Sequence, residues 1–203
     1  MSVEIAAFVA RWAASPFGGL EAAPWLVTQG AESHVASAIP GLTADYVVNG
    51  DVALHRSAAV EPGAVVKAPA IIGPRCLVAA GAYLRGGVFL EEDCIVGPNA
   101  ELKSSLMFKG AKLAHLNFVG DSILGAGVNI EAGAAIANYR NELQDKVIRI
   151  AWRGGVLETG VEKFGALLGD ETRVGANAVI APGAILERNA RVPRLALVDQ
   201  YPS

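Results

Sequence analysis

A six-residue beat of large aliphatic side chains runs through most of this 203-residue chain and constrains its fold more than any other feature. From Val48, steps of six reach Leu54, Val60, Val66, Ile72, Val78, Leu84, Leu90, Val96, Leu102 and Phe108. Four residues after most of these stands a small one: Ala58, Ala64, Ala70, Cys76, Ala82, Cys94 and Ala100. A second stretch carries the beat in shifted phase through Phe118, Leu124, Ile130 and Ile136. A third carries it through Leu168, Val174, Ile180, Leu186 and Val192. Neither a 3.6-residue helical period nor strict alternation gives a period of six. Three short strands per turn do: about 18 residues close a triangular coil, and successive coils pair in register about 4.8 Å apart. The large residue points to the prism axis and the small one fits the tight corner. The expected fold is all-β, a left-handed parallel β-helix of hexapeptide repeats.

Composition agrees with thin repeated layers. The chain is 52% hydrophobic but only 6% aromatic, with 23 glycines. Its net charge of −3 offers no general field for nucleic acid. No apolar run approaches the roughly 20 residues that span a bilayer. The N-terminus lacks the basic start of a signal peptide and Arg11 interrupts its apolar stretch, so a cytoplasmic location is expected.

Two regions break the beat. Residues 1–47 read as a short amphipathic helix (3–14) and an irregular lead-in, ahead of a β-helix domain over 48–203. Residues 140–166 alternate around Gly154-Gly155, which predicts a hairpin arm ejected from the coil. Such an arm is expected to reach a neighbouring subunit and bring Lys146 or Arg149 to the site.

Positions one full turn apart share one face of such a prism. Cys76 and Cys94 should therefore be stacked, buried, reduced thiols rather than a disulfide framework. Arg85 and Lys103 should form a stacked basic pair. Either they are a solvated face, or an anion such as phosphate sits between them to relieve their repulsion. Of three histidines, His34 and His55 lack ligand-type neighbours at suitable spacing, and no metal site is expected. His115 lies where the beat changes phase, in a stretch dense in Asn117, Asp121, Asn129, Asn138, Tyr139 and Arg140. That setting suits a general base.

The run from Glu101 to Tyr139 resembles the acetyltransferase domain of the bifunctional N-acetylglucosamine-1-phosphate uridylyltransferase/glucosamine-1-phosphate acetyltransferases. The shared elements are His-Leu-x-aromatic-x-Gly-Asp, Asn-Ile-x-Ala-Gly and Asn-Tyr. The stretch from Lys146 to Leu186 looks more like the archaeal sugar-1-phosphate nucleotidylyltransferase/amino-sugar acetyltransferases. The resemblance covers about residues 72–192. It implies that His115 is the catalytic base and Glu101 its supporting acid. It assigns the sugar phosphate to Arg85 and Lys103, and further substrate contacts to Phe118, Asn129, Asn138 and Tyr139. A backbone N–H near Ala132 would face the thioester oxygen. It also implies acetyl-CoA as co-substrate in a groove between subunits of a homotrimer. Arg188, Arg191 and Arg194 are candidates for the coenzyme phosphates on charge alone. The chain departs from the pattern at Phe118, where the bacterial family has Tyr, at Glu131 in place of Gly, and at Arg140-Asn141 in place of Asp-Gly. The family's nucleotidylyltransferase half has no counterpart, so a stand-alone short form is expected.

The expected activity is N-acylation of an amino-sugar phosphate or nucleotide-linked sugar. The alternative is a non-catalytic trimeric module that binds a sugar phosphate or organises a nucleotidyltransferase.

Overall fold

The computed structural model describes residues 3–202 and contains the expected left-handed parallel β-helix. Its inward residues form one continuous ladder: Leu54, Val60 and Val66 are partly buried, and Ile72 through Leu102 lie in the core. Val48 is outside it, on a strand (Tyr46–Asn49) that caps the first coil by pairing antiparallel with Val52–His55. The expected ladder also fails at Phe108 and Phe118, whose places are taken by Met107 and Val119. The reason is a shortened corner. Leu84 pairs with Leu102, a full turn on, but Leu90 pairs with Met107, one position short of a full turn, with the irregularity between Arg85 and Val88. Leu102 then pairs with Val119, and Leu124 follows that residue by five instead of six. Ser104 and Asp121 take left-handed backbone conformations at these two corners. The phase slip is there, not at His115.

The three faces of the prism have different outward rows. On the first face the row is apolar: Ala53, Ile71, Phe89, Leu106, Ile123, Leu167 and Ile185, paired in register. Removing side chains of this size from water contributes about 1.5–3 kcal/mol each, and a second core covers them. The cover is the N-terminal segment and the 140–166 arm. The helix expected over 3–14 is confined to α1 (Ile5–Phe8), with a single 3-10 turn at Trp12–Ala14. The lead-in after it is more regular than expected, with helices α2 (Pro24–Gln29) and α3 (Ala31–Ala38). At Gly87, φ is +84° and a Cβ would lie 2.4 Å from the backbone of Ala31 and Glu32, so only glycine admits α3 this close.

The arm is indeed a hairpin, Arg149–Trp152 with Gly155–Glu158. It is not ejected. Ile148, Ile150, Leu157, Val161 and Phe164 are buried against the chain's own first face, and Trp152 meets Phe8 at 6.0 Å. These large apolar side chains have to be covered, and the nearest apolar surface is the arm's own coil.

The second face carries a polar row in its later coils, Lys112, Asn129, Arg173 and Arg191. The third face carries Val65, Tyr83, Glu101, Phe118, Ala135, Val179 and Leu197 and has no cover from the described residues along much of its length. Cys76 and Cys94 are buried and free. The hydrogen bond to Cys76, with burial, holds the Cys94 thiol well above its ordinary pKa. No described helix is long and apolar enough to cross a membrane.

Candidate functional site

Residues that follow the inward ladder on the third face stack at the corner where that face meets the first. Arg85 and Lys103 are direct register partners there, as their spacing implies. The charges that neutralise them are the chain's own. Glu101 accepts from Arg85 Nε at 2.8 Å and Nη2 at 2.7 Å. Asp121 takes Lys103 Nζ at 2.7 Å and also accepts a hydrogen bond from the Asn138 amide. Asp121 can do this because the shortened corner puts it in a left-handed turn directly above Lys103, whose side chain, like its own, is mostly buried.

Arg85, Lys103 and Asp121 line a groove of about 840 Å³. Its floor is Tyr83, Arg85, Lys103 and Asp121. One wall is Gln29 and Glu32 from the α2–α3 segment, and the other is Gly160–Lys163, the return of the arm to the coil. Lys67 completes the rim. Its N–H donates to Leu84 O at 2.9 Å, which makes it the rung before Arg85 on the same ladder. The spacing that pairs Arg85 with Lys103 also points to Lys67, which sequence reasoning missed. Lys163 carried no such signal, because only the fold of the arm brings it here.

His115 occupies the opposite edge of the third face, on the corner between the second and third faces. It is exposed, and among the described residues its ring makes no hydrogen bond. Glu101 is thus bound to Arg85 rather than to His115. Phe118 is half-buried between Glu101 and Ala135 in the outward row, so the third face connects the two edges. Asn117, at a corner position usually held by a small residue, donates to the carbonyls of Glu131 and Ala134 at 2.8 and 3.1 Å. Its work is structural.

The remaining residues separate into two groups. Asn129, Arg191 and Arg194 share a second, smaller pocket of about 220 Å³ with Glu131 and Arg173, next to the turn that holds Ala132. Glu131, the departure from Gly, pairs with Arg194 at 3.0 Å and accepts from Ala176 N–H at 3.0 Å. Arg188 is elsewhere: it donates to Phe8 O and pairs with Asp170, pinning α1 to the coil. Lys146 is spent on the carbonyls of Asn141 and Leu143 and on the Tyr139 ring, with Nζ 5.4 Å from its centroid. Arg149 is held by Asp145 at 2.7 Å and Glu158 at 3.0 Å. Neither arm cation lines the groove, whereas Lys163 does. Arg140 is nearly buried and ties the start of the arm to Asp199 at 2.5 Å in the last coil. No three His, Cys, Asp or Glu side chains among the described residues converge as a metal-ligand set.

A family profile described as hexapeptide repeat of succinyl-transferase matches residues 60–102 and 166–193. The bifunctional sugar-1-phosphate nucleotidylyltransferase/acetyltransferase of Sulfurisphaera tokodaii is 32% identical over 153 residues, 75% of this chain and 38% of that protein. The bifunctional protein GlmU of Methanococcus vannielii is 34% identical over 131 residues, 64% of this chain and 30% of its own length. The chain therefore spans well under half of these relatives. Among solved structures it is similar to the acetyltransferase domain of PglB from Neisseria gonorrhoeae in complex with acetyl coenzyme A. The TM-score is 0.46 at 21% identity, over 70% of this chain and 54% of that one.

Proposed function

Because the chain is a hexapeptide-repeat protein homologous to the acetyltransferase region of those bifunctional enzymes, we propose that it is an acyltransferase acting on an amino-sugar phosphate or nucleotide-linked sugar. Acetyl-CoA is the acyl donor, and the working form is a homotrimer in the cytoplasm. The observation that carries this reading is the corner itself. Two residues that the resemblance assigns to the sugar phosphate, Arg85 and Lys103, lie with Asp121 at the floor of one groove, and two more that it names, Glu101 and Asn138, bond to Arg85 and Asp121.

The chemistry assigns the rest. An ammonium cannot attack a thioester, so the acceptor amine must lose a proton, and an imidazole takes it near neutral pH. His115, exposed and uncommitted, fills that role. A backbone N–H near Ala132 stabilises the tetrahedral oxyanion without reorganisation. Arg85, with N–H groups left over from Glu101, and Lys103 hold the sugar phosphate. The pocket of Asn129, Arg173, Arg191 and Arg194 takes coenzyme phosphates. Within one chain His115 and the groove stand at opposite edges of the third face, and that separation favours a site shared between copies. The apolar side chains available to pack there are Leu116, Val179, Leu195 and Leu197, exposed by 64%, 42%, 78% and 67%.

The second reading is a non-catalytic sugar-phosphate-binding module. The commitment of Glu101 to Arg85, away from His115, favours it. A thiol-release assay with acetyl-CoA and a panel of amino-sugar 1-phosphates and nucleotide-linked amino sugars separates the two. Release that depends on the acceptor is expected. Binding of acceptors with no thiol release anywhere in the panel leaves the module.

A further inference from the structure

The groove holds four cations, and they are not equivalent. Arg85 is neutralised by Glu101 and Lys103 by Asp121. Lys67 and Lys163 form no ion pair or side-chain hydrogen bond among the described residues. Both are exposed at the rim, one on the corner ladder and one on the arm that faces it. Tyr83 ties the two sets together: Lys67 Nζ lies 5.5 Å and Arg85 Cζ 5.9 Å from its ring centroid.

We propose that Lys67 and Lys163 form a second phosphoryl subsite above Arg85 and Lys103, so that the groove selects acceptors carrying a diphosphate over those carrying a monophosphate. The inference rests on the acyl-acceptor reading of the groove and names its substrate class. A phosphoryl group on the inner pair competes with two carboxylates for Lys103 and for part of Arg85. One at the rim meets two ammoniums with their donors free, and charge-assisted contacts of this kind are the strong ones. A diphosphate spans the two levels. The groove's volume is near the upper end of the roughly 300–1,000 Å³ of small-molecule sites, and two phosphoryl groups and a sugar use it better than a lone hexose phosphate. Glu32 and Glu162 share the rim and keep the overall charge low. Selection therefore comes from direct contact, not from a long-range field.

The test is calorimetric titration of the full-length protein with inorganic pyrophosphate and with orthophosphate, at equal ionic strength and without acyl donor. Pyrophosphate is expected to bind at least about tenfold more tightly. In Lys67→Ala/Lys163→Ala, whose side chains are exposed and whose thermal midpoint should not move, the preference should fall to about twofold or less. Equal binding of the two anions by the unaltered protein overturns the proposal. So does a preference that survives the double substitution. A preference that survives it but is lost in Arg173→Ala/Arg191→Ala assigns pyrophosphate to the coenzyme pocket and also overturns it. Because no acyl transfer is read, failure here leaves the proposed activity standing, and failure of the thiol-release assay leaves this subsite standing.

Discussion

The coils at the two ends of the prism and those in its middle obey different rules. The repeat profile matches residues 60–102 and 166–193. There, register partners such as Ile72 and Leu90, or Leu168 and Leu186, keep the full repeat, and every sixth side chain is core. Between them the coils are shorter by one position, as in the pairing of Val96 with Leu113. One is interrupted by the whole arm, so that Ile136 pairs with Ile180 across it. His115, Phe118, Asn129, Asn138 and Asp121 belong to this middle. All the irregularities fall on one corner: the two shortened turns at Ser104 and Asp121, and then the arm. In the regular coils the inward positions are committed to packing, because each is fixed by the coils on either side. A corner that loses or gains residues re-aims side chains without disturbing the inward ladder, which is how Asp121 comes to bridge Lys103 and Asn138.

Three substitutions probe that division. The largest effect is expected in the middle. His115→Ala should lower turnover by about two to four orders of magnitude, the usual contribution of a positioned base, with the thermal midpoint unchanged because the ring is exposed. Initial rates and a melting curve decide it, and a fully active variant would make this histidine a surface residue. In the regular coils the outcome should invert. Ile72 is fully buried, so Ile72→Ala should cost about 2–5 kcal/mol in denaturant unfolding, while turnover per folded molecule stays near that of the parent. Comparable losses of activity and stability in both variants would erase the distinction.

The smallest effect concerns the junction between the middle and the last coil. Arg140 holds the Asp199 carboxyl below its ordinary pKa of 3.8. A depressed folded pKa stabilises the protein above the unfolded value, and the gain disappears as pH falls through the folded one. Asp199→Asn should therefore be less stable than the parent at pH 6. The gap should close as the pH drops below about 4, when both unfolding curves are followed by circular dichroism. A gap independent of pH would mean the carboxylate's charge is not what holds the arm.

Much of this could be read from the sequence, for a physical reason. The period of six is a local rule, since each inward or corner residue must fit its own turn whatever lies elsewhere. The coil, the stacked cysteines and the register of Arg85 with Lys103 all followed from it. A slip by one position leaves the beat nearly intact in sequence yet turns Phe108 and Phe118 outward, so the shifted ladder was legible but its phase was not. The break in the beat and the alternation around Gly154-Gly155 located the hairpin arm but not its destination, which depended on an apolar row on the first face that reads in sequence as ordinary strand. Ion pairs were the least legible. Glu101, Asp121, Lys146 and Arg149 could each reach several partners, and only packing chose Arg85, Lys103 and the arm's own acceptors. The sequence by itself determined the repeating scaffold, because side-chain volume acts through neighbours on the same turn and on the turns directly above and below. The tertiary structure alone decided which charges remain free to meet a ligand. An electrostatic partner is selected by distance in space and by burial, and the fold places Lys67 and Lys163 in one groove although they stand far apart along the chain.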